Sequence, residues 1–306
     1  MNADVRVLVT GAAGQLGGHA ARLLAEGGYA VCGTVRTPPT AAEPPGIRWL
    51  QCDFTKPDEV RAAVEASNPE LVLHAVGLGG TSDVRALTEA NVTALRHLIE
   101  ALDGTQIRNL LVIGSSAEYA SRDDHVAIRE DQALGAASPY AVSKLEQFAL
   151  AQQAFGSGLP VVYGRPFNLI GPGVSCATAV GDITKRLAEA MHKGGSQVLE
   201  VGDLDKWRDY LDVRDAAAAC ASLLEGGMPG GVYNICSGVP VLLSEVVDML
   251  LTMAGEHVVV RRVDRGPSQS YVVGDPSRLG SLGWAPKFGL ETSLRDGLEY
   301  SASKLA

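Results

Sequence analysis

Short apolar runs alternate with amphipathic stretches through the first half of the chain. Val5–Thr10 is apolar, and Gln15–Glu26 repeats its apolar residues at helical spacing until Gly27-Gly28. Two further apolar runs follow, Tyr29–Val35 and, beyond the Pro-rich stretch Pro38–Pro45, Ile47–Cys52. Pro57–Ala66 reads as a helix, Leu71–Val76 as a strand, Thr88–Leu102 as a longer helix and Leu110–Gly114 as another strand. A helix is predicted from about Pro139 to Ala154. Strands that are apolar throughout and separated by helices belong in a parallel sheet covered on both faces. This is an α/β, doubly wound architecture, and such sheets place ligands at the carboxyl ends of their strands.

After Gly164 the pattern loosens, and Gly171–Val180 and Val198–Asp212 are rich in loop and turn residues. Asp215–Leu224 and Gly231–Ile235 read as a helix and a strand returning to the main body. The expected division is therefore a main domain of residues 1–167 plus about 213–237. A smaller C-terminal lobe takes 168–212 and 238–306.

Composition narrows the function classes. The 306 residues carry a net charge of −9, a field that repels nucleic acid and anionic membranes while leaving room for a small anion in a locally basic pocket. Ala216–Leu224, the most apolar helical stretch, is half the length of a membrane span, and the first residues do not read as a targeting signal. Five scattered cysteines without C-x-x-C spacing point to thiols in a reducing cytoplasm, and six dispersed histidines offer no metal-ligand spacing.

The sharpest chemical signal is Gly11-Ala12-Ala13-Gly14-Gln15-Leu16-Gly17, which joins the first strand to the first helix. Gly11 permits a tight turn, Gly14 a close backbone approach to a pyrophosphate, and Gly17 close helix–strand packing. The helix start then offers N–H groups to phosphates. An NAD enzyme usually carries an acidic residue at the end of the second strand, where this chain has Arg36. A guanidinium there suits a 2′-phosphate, so NADP(H) is expected. Asp53, after the third strand, can accept from the adenine amine.

Tyr140 and Lys144 lie four apart on one helical face, downstream of Ser115-Ser116 at a strand's carboxyl end. The Lys144 ammonium is expected to lower the phenol's pKa and hold a ribose. Tyr140 could then exchange a proton with a substrate carbonyl while hydride moves to or from a nicotinamide.

Together the glycine turn, the strand-end serine and Tyr-x-x-x-Lys resemble the extended short-chain dehydrogenase/reductases that act on nucleotide sugars. Ser138–Lys144, Arg165–Gly173, Val201–Asp215, Tyr233–Gly238 and Gly274–Lys287 carry the likeness along nearly the whole chain. Within that family the combination is most similar to GDP-4-keto-6-deoxy-D-mannose reductases, with GDP-mannose 4,6-dehydratases close by. The resemblance implies a Rossmann fold, a nucleotide-diphosphate sugar as substrate and a homodimer. It implies Ser115, Tyr140 and Lys144 as catalytic, Ser115 being preferred to Ser116 for the substrate oxygen. Cofactor contacts are expected from Gly11, Gly14, Gln15, Leu16, Gly17, Arg36, Asp53, Phe54, Tyr140, Lys144 and Phe167. Substrate contacts are expected from Ser116, Glu118, Asn168, Arg208 and Arg265, with Asn91 supporting the active-site helices.

Two departures from the family pattern bear on chemistry. The usual Arg-Pro-x-Glu reads Arg265-Gly266-Pro267-Ser268, so the acidic nucleotide contact is missing and the base is left open. A dehydratase needs an acid two residues after the catalytic Ser or Thr. That position is Ala117 if Ser115 serves, and Glu118 if Ser116 does. The expected activity is NADPH-dependent reduction of a nucleotide-diphosphate 4-keto-6-deoxyhexose at C4. A 4,6-dehydratase or 4-epimerase is the alternative among enzymes, and a non-catalytic NADP sensor the alternative outside them.

Overall fold

A computed structural model describes residues 5–37, 46–121, 124–193, 197–255, 258–262 and 270–305. Its main layer contains β1 (Arg6–Thr10), α1 (Gln15–Glu26), β2 (Ala30–Val35), β3 (Ile47–Gln51), α2 (Pro57–Ser67) and β4 (Leu71–His74). It continues through α3 (Val84–Thr88), α4 (Ala94–Leu102), β5 (Asn109–Ile113), α5 (Pro139–Gly156) and β6 (Val161–Pro166). The smaller lobe opens with β7 (Asn168–Ile170), α6 (Ala179–Lys193), β8 (Gln197–Val201) and β9 (Trp207–Asp212). The chain then returns as α7 (Val213–Gly226) and β10 (Val232–Ile235), and leaves again as β11 (Pro240–Leu242), α8 (Leu243–Ala254) and β12 (Val258–Arg262). β13 (Tyr271–Val272), α9 (Ser277–Gly280) and α10 (Leu290–Ser303) complete it.

Among the described residues the main sheet is parallel and runs β10-β6-β5-β4-β1-β2-β3. The order reverses between β1 and β4, which opens a crevice at their carboxyl ends. α1 and α7 pack on one face around Leu24, Val31, Leu73, Cys220 and Leu223. α2, α4 and α5 cover the other around Leu8, Val72, Leu95, Leu98 and Val112. Both faces are thus apolar, which is why these strands read as unbroken hydrophobic runs. In the smaller lobe β9 pairs antiparallel with β11 and parallel with β7 and β13, while β8 and β12 pair with each other. α6, α8 and α10 enclose its core around Leu187, Val246, Leu250 and Leu298.

Two expectations need correction. The helix expected over Thr88–Leu102 begins at Val84 and contains a π turn, Glu89–Thr93, between α3 and α4. The buried Asn91 lies within that turn. The segment after 238 does not stay in the smaller lobe, because Leu279 and Trp284 are buried in the main core beside α1 and α7. Trp284 Nε1 donates to the Asp215 carbonyl at 3.2 Å, and the Asp215 carboxylate accepts from the Lys287 and Phe288 N–H groups. No helix among the described residues is long and apolar enough to cross a membrane.

Candidate active site

The glycine turn sits at the crevice. Gly11 has a φ of 67°, a region open to glycine at little cost, and its O accepts from Gly14 N–H at 2.8 Å. A Cβ on Gly17 would lie 2.4 Å from the Gly11 carbonyl oxygen, so only glycine lets α1 start so close to the turn. Gly14 stands at the N-cap of α1 and offers no side-chain cap, which leaves the helix's first N–H groups for an anion. The Gln15 side-chain nitrogen is buried without a partner, a group suited to a ligand oxygen. Leu16 points into the core.

A cavity of about 500 Å³ continues from this turn and is lined by Gly14, Arg36, Asp53, Phe54, Gly77 and Leu78, among others. Arg36 is exposed at the end of β2. Hydrogen bonds from Thr55 hold the Asp53 carboxyl below its usual range. The groove therefore joins an uncapped helix start to a carboxylate, with a guanidinium at its rim. These residues fit a dinucleotide.

Thr10 shapes the floor without having been legible as a site residue. Its Oγ1 accepts from Ala75 N–H at 3.2 Å and lies 3.0 Å from His74 Nδ1. Burial drives the His74 pKa down to about 3, so this ring is neutral.

Ser115, Tyr140 and Lys144 meet at the carboxyl ends of β4 and β5. Ser138 caps α5 by accepting from Ala141 N–H, and Pro139 occupies its first turn, so the helix start is fixed two residues before Tyr140. The Ser115 side chain acts on the Tyr140 phenol, drawing its pKa down against the upward push of burial. Lys144 is buried and donates to the Ile113 carbonyl at 3.0 Å and to Gln147 Oε1 at 2.8 Å. A Cβ on Gly77 would stand 3.4 Å from the ammonium, and one on Gly79 3.5 Å from the Tyr140 ring. The loop after β4 thus runs directly over both residues. Gln147 is a lysine partner with no signature in the sequence.

Asn91 explains the π turn. Its amide donates to the Leu78 carbonyl at 3.0 Å and to Ser143 Oγ at 2.9 Å, and its Oδ1 accepts from Leu78 N–H at 2.8 Å. One fully buried side chain ties the loop over the site to α5, and the extra residue of the π turn aims it there.

Charge states follow from burial. Burial pushes the Tyr140 phenol up, and its Ser115 hydrogen bond works against this. The expected lowering by Lys144 is not seen, and that ammonium donates to Ile113 and Gln147. Burial also lowers Lys144 to about 8, opposed by the charge of Glu118.

The substrate set divides. Asn168 and Arg208 line a second cavity of about 230 Å³ together with Lys206 and Tyr210. Asn168 Nδ2 donates to the Asp209 carbonyl at 3.0 Å, which fixes its side chain on the lobe. Ser116 is half-buried beside Ser115. Arg265 lies outside the described residues. Glu118 must be moved from the substrate set, because its carboxylate is fully buried and bound to Arg165 at 2.7 Å. Phe167 also leaves the set of side-chain contacts, since its ring is buried among Tyr119, Ile128 and Cys236.

The family model described as NAD dependent epimerase/dehydratase family matches residues 7–236. The chain belongs to this family. Its members act on nucleotide sugars with an NAD(P) cofactor. A GDP-6-deoxy-D-mannose reductase of Pseudomonas aeruginosa is 29% identical over 301 residues, covering 95% of each chain. The structure of RMD from Pseudomonas aeruginosa complexed with NADPH superposes with a TM-score of 0.84 at 28% identity, over 98% of this chain and 100% of that one. UDP-glucose 4-epimerase of Thermus thermophilus complexed with NAD gives a TM-score of 0.86 at 26% identity, over 97% of this chain and 99% of that one. The Rossmann sheet and the family's nucleotide-sugar chemistry are thus common ground, whereas the relatives differ in cofactor and reaction.

Proposed function

We propose that the protein is an NADPH-dependent reductase of a nucleotide-diphosphate 4-keto-6-deoxyhexose. The observation that carries reduction over dehydration is the state of the residues after Ser115. Ala117 has no proton acceptor, and Glu118 is buried in an ion pair with no path to a sugar proton. Gly11, Gly14, Gln15, Arg36, Asp53 and Lys144 would hold the cofactor, with Phe54 beside the adenine. NADPH held there would supply the hydride that adds at C4. Ser115 donates a hydrogen bond to the carbonyl oxygen, and Tyr140 gives that oxygen its proton. A phenol raised by burial is protonated at neutral pH, as an acid must be. The Lys144 ammonium would steady the ribose and, through it, the oxygen from which Tyr140 gives its proton. Asn168, Lys206 and Arg208 would receive the sugar diphosphate. The same reading makes the enzyme a cytoplasmic homodimer.

The test is a screen of GDP-, dTDP-, UDP- and CDP-linked 4-keto-6-deoxysugars with NADPH. One equivalent of NADPH should be oxidised per sugar. A dehydratase or epimerase recycles its cofactor and leaves NADPH untouched, which would sink this reading. Arg36→Asp should lower the NADPH-to-NADH ratio of kcat/KM by about a hundredfold, because a carboxylate repels a 2′-phosphate and suits a free hydroxyl. An unchanged ratio removes Arg36 from that site.

The Lys144 value sets the pH response. A lysine held at about 8 is an ammonium below that pH and a neutral amine above it. Reduction should therefore be fastest below about pH 8 and fall above it, towards tenfold per pH unit. A kcat–pH profile at saturating NADPH reads this directly, and a flat alkaline limb removes the charge of Lys144 from the mechanism.

A further inference from the structure

Beneath the catalytic residues lies a buried ionic cluster that the proposed reaction does not use. Glu118 Oε1 accepts from Ser115 N–H at 2.8 Å and from the Tyr163 hydroxyl at 2.9 Å, while Oε2 accepts from Arg165 Nε at 2.7 Å. Arg165 Nη1 donates to the Tyr119 oxygen at 3.2 Å, and the Tyr119 hydroxyl donates to Asn234 Oδ1 at 2.6 Å. The guanidinium also lies over the rings of Tyr119 and Phe148, 4.7 and 4.5 Å from their centres. Arg165 and Glu118 are 1% and 0% exposed. The strand end is shaped around them, since a Cβ on Gly114 would stand 2.5 Å from Glu118 Oε1.

Stability is a poor reason for such a pair. Two charges taken from water lose much of their hydration, and well-packed apolar residues at such positions are often as stable or more so. Geometry supplies a better one. Glu118 grips the peptide N–H of the residue whose hydroxyl meets Tyr140. Ser115 in turn caps the short 3₁₀ turn Ser116–Glu118, its Oγ accepting from Ala117 N–H at 3.2 Å. The backbone at Ser115 is therefore held from both sides.

We propose that Glu118, pinned by Arg165, is a positioning residue that fixes the Ser115 hydroxyl against Tyr140. This rests on the reading of Ser115 and Tyr140 as the pair that meets the substrate oxygen. It gives Glu118 a part in the reaction without contact with the sugar, and Arg165 a part through Glu118.

The test replaces both charges at once, Glu118→Met with Arg165→Met, so that neither is left buried alone. The expected result is kcat lowered at least about thirtyfold, with KM for the keto-sugar and Kd for NADPH changed by less than about threefold. Glu118→Gln with Arg165→Met returns an acceptor to the Ser115 N–H and should regain about tenfold of the lost kcat. A merely structural pair would instead lower the melting temperature and leave kcat intact, which overturns the proposal. A crystal structure of the double methionine variant decides the same point without substrate. Ser115 Oγ should shift away from the Tyr140 hydroxyl, and an unmoved Ser115 overturns the proposal. Should that variant not fold, the same two measurements on Arg165→Lys replace it, with the same outcomes deciding. A parent enzyme that reduces none of the sugars would overturn the reductase reading alone, because the structural comparison still decides this one.

Discussion

Tyr140→Phe should lower kcat for NADPH-dependent reduction by about a thousandfold while Kd for NADPH stays within about twofold. The substitution removes one oxygen and keeps the ring that packs under Gly79. Lys144 keeps its bonds to the Ile113 carbonyl and Gln147, so its reach towards a ribose is unaltered. Ser115 remains to bind the substrate oxygen but has no proton that it can yield so readily. The loss therefore falls on the chemical step and not on binding. Single-turnover oxidation of NADPH measures the first quantity and fluorescence titration the second. Full activity in this variant would remove Tyr140 as the acid, and a matching loss of NADPH affinity would make it a binding residue.

Gly17→Ala should be the most damaging single methyl group in the cofactor site. Its Cβ would meet the Gly11 carbonyl oxygen at 2.4 Å and the Gly11 carbonyl carbon at 2.9 Å, both backbone atoms that no side-chain rotation can clear. The turn or the helix start must move by about an ångström, and forced overpacking of this kind costs about 1–3 kcal/mol. The same movement misaligns the N–H groups offered to the pyrophosphate. NADPH affinity should fall about a hundredfold, together with a lower melting temperature. Gly156→Ala is the control, because no atom lies within 4 Å of its added methyl group. It sits at the end of α5, where alanine is the better helix former. Equal behaviour of the two variants would show that the contact at Gly17 is easily relieved.

The parts of the molecule that could be read from sequence are those governed by local periodicity. α1 was legible from Gln15 to Glu26 because its apolar residues repeat at helical spacing and glycines end it. The main strands were legible because both faces of the sheet are covered. The π turn was not, since it answers to one long-range demand, the bonds of Asn91 to Leu78 and Ser143. The burial of Glu118 was equally hidden. Its partners Tyr163 and Arg165 come from a strand that begins more than forty residues later, and an acid beside a serine reads as a substrate contact until that strand is in place. Trp284 was hidden for a similar reason, because the helix it packs against, α7, lies some 69 residues earlier and nothing in its own segment points there. Where a residue's role depends on its own segment, sequence is enough. Where the role is conferred by a distant strand, it is not.

The strand order carries a consequence for how the chain is made. β6 ends at Pro166, and its outer neighbour β10 starts at Val232. Everything between them must leave the ribosome before that edge is covered. At about 5–20 residues per second the interval is roughly 3–13 s, during which a buried-type strand presents free backbone groups to other nascent chains. The lobe that carries Asn168 and Arg208 is thus inserted at the moment of greatest exposure. Because the core of that lobe draws on α8 and α10, the lobe is completed only after β10 has covered the edge, so the sheet closes before the lobe does.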